Sequence, residues 1–92
     1  MIHVPYTSQL FKENGHIVAI SPELNVSSFG DTPSDALHSL QEAVTLFLEG
    51  CQEMGTLDAV LEESGYEPDP IIAQRWMPRQ PIQIHWLEAS LG

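Results

Sequence analysis

Apolar and polar residues alternate from the start of the chain. Ile2, Val4, Tyr6, Ser8 and Leu10 fall on one side and His3, Pro5, Thr7, Gln9 and Phe11 on the other, which is the two-residue period of a strand. Pro5 has no N–H to give to a ladder, so the strand starts late or keeps that position at an edge. Asn14-Gly15 closes the run, and this pair suits a tight hairpin turn because both residues accept positive φ. His16–Ile20 predicts a second strand, Ser21-Pro22-Glu23 a turn, and Leu24–Phe29 a third strand. Together they make an antiparallel meander.

After Gly30 the period lengthens. Thr32 is placed to cap a helix, Pro33 suits its first position, and Asp35 sits where a capping box wants an acceptor. Asp31 and Asp35 also complement the positive end of the helix. The spacing predicts a helix from Pro33 to Met54, with Ala36, Leu40, Ala43, Val44, Phe47, Cys51 and Met54 as its buried stripe and Gly55 as its stop. A shorter helix is predicted from Thr56 to Ser64, capped by Thr56, packed through Leu57, Val60 and Leu61, and ended by Gly65. Residues 66–70 read as a linker, and residues 71–81 are an apolar stretch bounded by prolines. Ile82–Glu88 alternates again and predicts a last strand with Ile82, Ile84 and Trp86 on one face.

The expectation is therefore an α+β fold in one domain, residues 1–92. A three-stranded antiparallel meander is followed by a long helix, a short helix and a late strand. The core is placed in 2–65, the linker in 66–70 and a C-terminal strand segment in 71–92. The long helix must bury its stripe on the apolar face of the meander.

Charge sharpens this picture. The 92 residues hold 13 acidic and 3 basic side chains, for a formal net charge of −10. The bases are Lys12, Arg75 and Arg79, and 12 carboxylates lie from Glu13 to Asp69 with no Lys or Arg among them. Nucleic-acid binding depends on Lys and Arg neutralising phosphates, so direct binding is not expected. An anionic membrane is disfavoured for the same reason, and there is no apolar run long enough to span one. A basic protein would be attracted. Acidity also serves plain solubility, and charge alone does not separate the two roles. A single cysteine, Cys51, excludes an internal disulfide, and no signal peptide is read at the N-terminus, so a cytoplasmic location is expected.

No catalytic constellation is visible, and an enzyme is not expected. His3, His16, His38 and His85 lack metal-ligand spacing, no glycine-rich phosphate loop is present, and Cys51 falls on the helix stripe. Neither metal nor other cofactor is implied. The interiors of the three predicted strands carry no carboxylate of the kind that holds metals for hydrolysis. Glu49, Glu53, Glu62 and Glu63 fall on the helices and are the candidates for partner contact, although a solvated acidic face is the simpler and better account of them. Trp76, Ile84 and Trp86 are candidates for an oligomer interface. For the two tryptophans, packing a small core is the competing role.

From Tyr6 to Gly65 the sequence resembles the HicB-like antitoxin family. The matching residues are Glu13-Asn14-Gly15-His16-Ile17-Val18-Ala19, then Pro22-Glu23-Leu24, then Gly30-Asp31-Thr32 leading into Ala36-Leu37 and Glu42-Ala43-Val44. Each piece is a general turn or cap signal, but their order and spacing are specific. Where the family usually has Pro-Gly after the second motif, this chain has Asn25-Val26. The resemblance implies a partial ribonuclease-H-like fold, β-β-β-α-β, without nuclease activity. It also implies a place in a type II toxin–antitoxin pair, binding and blocking a small basic HicA-type mRNA interferase. Full-length members commonly carry a C-terminal DNA-binding module. None is read here, so operator binding is not expected. The alternative is a small self-associating domain with no toxin partner, a homodimer or higher oligomer closed by the late strand and Trp86.

Overall fold

A computed structural model describes residues 1–92. Three strands, β1 (Gln9–Glu13), β2 (His16–Ser21) and β3 (Val26–Gly30), form an antiparallel sheet in the order β1-β2-β3. Asn14 and Gly15 join the first two with φ of 48° and 82°, both in the left-handed region that this turn requires. Leu10 pairs with Ala19 and Ala19 with Ser28, while Phe11 pairs with Val18 and Val18 with Phe29. Cross-strand partners share a face, so these two rows line opposite sides of the sheet. Helix α1 (Pro33–Met54) covers the Ala19 side, resting chiefly on β3 and β2. Ala19 is fully buried, whereas Phe11 and Phe29 on the other side stay 47% and 66% exposed.

The predicted limits of α1 are those observed. Thr32 is extended and its Oγ1 accepts a hydrogen bond from the Asp35 N–H at 3.1 Å. Gly55 closes the helix in the left-handed conformation at φ 73°. Ala36, Leu40, Val44 and Cys51 are buried as the stripe requires, but Phe47 and Met54 are not, at 39% and 72% exposed. Cys51, between them in sequence, is buried, so the exposure is confined to Phe47 and Met54 and does not extend to the whole end of the helix.

Four other expectations are corrected. The third strand begins at Val26, not Leu24: residues 22–25 form the turn, Asn25 adopts φ 55°, and Leu24 folds into the core. The short helix α2 (Leu57–Glu63) lies between Thr56 and Ser64 at its cap positions, as predicted, but the Thr56 hydroxyl donates to the Cys51 carbonyl at 3.3 Å and makes no side-chain cap. The predicted linker contains a strand, β4 (Tyr66–Pro68), paired antiparallel with β5 (Trp76–Pro78). The late strand is thus this short hairpin rather than Ile82–Glu88.

Burial explains the hairpin. Tyr66 and Trp76 lie in one core with Leu24, Val44, Leu57 and Leu61. The Tyr66 hydroxyl donates to the Pro5 carbonyl at 2.7 Å. The His3 N–H donates to the Gln74 carbonyl at 2.8 Å and the Trp76 N–H to the His3 carbonyl at 2.9 Å, a parallel bridge between His3 and Arg75. The chain therefore returns beside the extended N-terminal segment that leads into β1. Its last backbone hydrogen bond to the body is from the Arg79 N–H to the Gly65 carbonyl at 2.9 Å. Residues 80–92 have no regular structure and are exposed throughout. A radius of gyration of 15.8 Å, against about 12 Å for a compact chain of this length, reflects that protruding segment.

Candidate partner-binding surface

Glu49 and Glu53 are one turn apart on α1, a spacing that puts them on one helix face, and Glu42 precedes them along the same face. Glu62 and Glu63 come from α2, which packs on α1. All four candidate carboxylates are exposed, and none is within ion-pair distance of a cation. The ion pairs lie elsewhere: Arg79–Glu67 at 3.9 Å, and His16–Asp31 at 3.4 Å and His38–Glu42 at 3.1 Å, the last two charged only when the histidine is protonated. The two helices therefore present negative charge that the chain does not neutralise.

Beside Glu49 lies a groove of about 540 Å³, which periodicity alone did not single out. It is lined by Ile2 and the half-buried Val4 and Tyr6 of the N-terminal segment, by Val44 and Leu48 of α1, and by Leu57 of α2. The available signal was Leu48, which lies off the predicted stripe, together with the Ile2-Val4-Tyr6 alternation. An apolar floor beside a free carboxylate suits a side chain that combines an apolar body with a nearby cation.

Near this groove the N-terminal segment is fastened by a polar cluster. Glu23 accepts hydrogen bonds from the Thr7 N–H at 3.0 Å, from the Thr7 hydroxyl, and from the Ser21 hydroxyl at 3.3 Å. Burial alone would raise the Glu23 carboxyl, but these bonds to its charged form outweigh burial and hold it below the ordinary glutamate value. Tyr66 is pushed up to about 12 by burial first, then by the neighbouring charge of Glu23 and by Tyr6, and burial raises Tyr6 as well. Asp69 is lowered because its carboxylate accepts from the Ile72 and Ile71 N–H groups. These groups anchor loops.

The interface candidates separate. Trp76 is 8% exposed and belongs to the core of its own chain, so it is corrected from an interface residue to a packing one. Ile84 and Trp86 are 77% and 96% exposed. Cys51 is buried at 3% exposure, no three His, Cys, Asp or Glu residues converge in a geometry that could hold a metal ion, and no helix is long and apolar enough to cross a membrane. No family model matches the chain, and no curated protein or solved structure matches it.

Proposed function

We propose that this chain is a non-catalytic, antitoxin-like protein of the HicB-like kind that binds a small basic HicA-type mRNA interferase and blocks it. The observation that carries the reading is the set of free carboxylates at Glu49, Glu53, Glu62 and Glu63 on two adjoining helices, beside an apolar groove, in a chain with three bases. A cationic nuclease surface would meet complementary charge along the helices and place an apolar anchor in the groove. The element order supports the same reading: three strands and a helix, after which the chain returns beside the N-terminal segment at His3 and Arg75. The motifs from Glu13 to Val44 coincide with the turn and cap residues of that arrangement.

The test is coexpression with a HicA-type protein encoded in the neighbouring gene. The two are expected to co-purify at low salt, and the complex should lose RNA cleavage. Reversing Glu49, Glu53, Glu62 and Glu63 to Lys should slow association by about 10-fold or more, because steering depends on this field. No complex at low salt, or cleavage that continues at saturating antitoxin, defeats the reading.

A further inference from the structure

The approach to β5 places a cation where the chain does not use it. Lys12 and Arg79 are exposed, and Arg79 pairs with Glu67 at 3.9 Å. Arg75 is half-buried and belongs to no ion pair, in a chain with 13 carboxylates. Its backbone is fixed on both sides. The Asp69 N–H donates to the Arg75 carbonyl at 2.7 Å, Gln74 and Trp76 are hydrogen-bonded to His3, and the Trp76 side chain is buried. Gln74 is held at φ 60°, a left-handed conformation unfavourable for a residue with a Cβ, and such strain collects where a neighbouring group must be aimed. Arg75 and His3 line a cavity of about 440 Å³ together with Val4, Pro5 and Ile72. The partner groove is a separate cavity that shares only Val4 with it. No carboxylate lines the Arg75 cavity. Asp69 is close enough to feel the Arg75 charge, but its Oδ1 already accepts from the Ile71 and Ile72 N–H groups at 2.8 and 3.0 Å.

We infer that this cavity is a binding site for a small monocarboxylate with a short apolar body, its carboxylate on the Arg75 guanidinium and its body against Val4, Pro5 and Ile72. The lining selects that chemistry. A guanidinium offers parallel N–H donors that match a planar carboxylate in a two-bond fork, and the His3 ring adds a further N–H beside it. One fixed positive charge matches one negative charge. A dianion such as phosphate would keep a charge unmatched beside a body of net charge −10. It would also turn its remaining oxygens toward three residues that donate nothing from their side chains. A neutral apolar molecule would leave the half-buried guanidinium without a partner. The cavity exceeds the roughly 300 Å³ at which small-molecule sites begin, and its mix of an apolar lining with a few convergent polar groups is the usual make-up of such sites.

The full chain titrated with isovalerate at constant ionic strength, and followed by amide chemical shifts, should show saturable changes at His3, Ile72, Arg75 and Trp76. A Kd on the order of 1 mM is expected of a ligand with so few atoms. Isovaleramide, which has the same shape without the charge, and inorganic phosphate should each bind at least about 10-fold more weakly. Arg75→Gln should weaken isovalerate by about 10-fold or more. Arg75→Lys keeps the charge but loses the fork and should weaken it several-fold, as should Ile72→Ser on the exposed loop. Far-UV circular dichroism checks that each variant is folded, and the unmodified chain with the amide and phosphate arms decides the matter if one is not. No saturable change at tens of millimolar isovalerate, equal binding of the amide or of phosphate, or folded Arg75 variants that bind as the parent does would each overturn the inference.

Discussion

Replacing Gly30 by alanine tests the junction on which the layers depend. Gly30 ends β3 and lies directly beneath the first turn of α1. A Cβ there would stand 2.6 Å from the Ala36 nitrogen, 2.7 Å from the Asp35 Cβ and 2.8 Å from the Asp35 carbonyl carbon. Favourable contacts between heavy atoms begin near 3.5 Å, and none of these atoms is the free end of a flexible side chain. Relief therefore requires lifting the helix start off the sheet, which disturbs the Thr32 cap, worth about 1 kcal/mol, and the fully buried Ala36. Overpacking of this kind costs about 1–3 kcal/mol, whereas removing a glycine from the unfolded chain returns about 0.4–1 kcal/mol. The net expectation is a loss of about 1–2 kcal/mol, or a melting temperature lower by roughly 5–15 °C for a chain of this size. Gly50 is the matched control: it lies inside α1, a Cβ there meets nothing within 4 Å, and Gly50→Ala should stabilise by about 0.5–1 kcal/mol. Urea unfolding followed by circular dichroism, with unchanged slope, reads both variants. If Gly30→Ala is as stable as the parent, the close seating of α1 on β3 is wrong.

Two further outcomes follow from the core. Leu61 is fully buried and ties α2 to the body, so Leu61→Ala should cost about 2–5 kcal/mol in urea midpoint experiments; a cost under about 1 kcal/mol would mean α2 is not packed as described. Tyr66 titrates near 12 in the folded chain and near 10 when unfolded, so its contribution is complete below pH 10 and is lost as pH rises toward 12. The loss is on the order of 2 kcal/mol, and Tyr66→Phe should remove most of the slope between pH 10 and 12.

What the sequence reveals is what its local chemistry determines. The α1 limits follow from Thr32-Pro33 and Gly55, and the first hairpin from Asn14-Gly15; both are fixed by neighbours within a few residues. The misread parts are set by distant partners. Trp76 and Trp86 look alike in a proline-rich stretch, and they are separated by the hydrogen bonds that link residues 74 and 76 with His3 and by the pairing of β5 with β4. Strand β4 hides among prolines because its three residues are held by Tyr66 reaching Pro5 and by pairing with β5, rather than by strand propensity. The alternation at Ile82–Leu87 is real as a pattern, but within one chain no sheet edge accepts it. For the surface, the carboxylates of the two helices could be listed from sequence, whereas the groove beside Glu49 required the N-terminal segment to be placed.

The acidic helices and the fold are energetically separable, and this makes the proposed function open to a clean experiment. Glu49, Glu53, Glu62 and Glu63 are exposed and lie in no ion pair, so no salt bridge is lost when their charge changes. Reversing all four moves the formal net charge from −10 to −2, which relieves self-repulsion rather than adding it. Surface changes of this type ordinarily alter stability by no more than about 0.5 kcal/mol each. A quadruple variant that keeps its melting temperature but no longer binds a basic nuclease therefore loses binding through the surface itself. One that binds equally well would assign the carboxylates to solubility, and would leave the apolar groove and the protruding segment as the surfaces through which this chain meets other molecules.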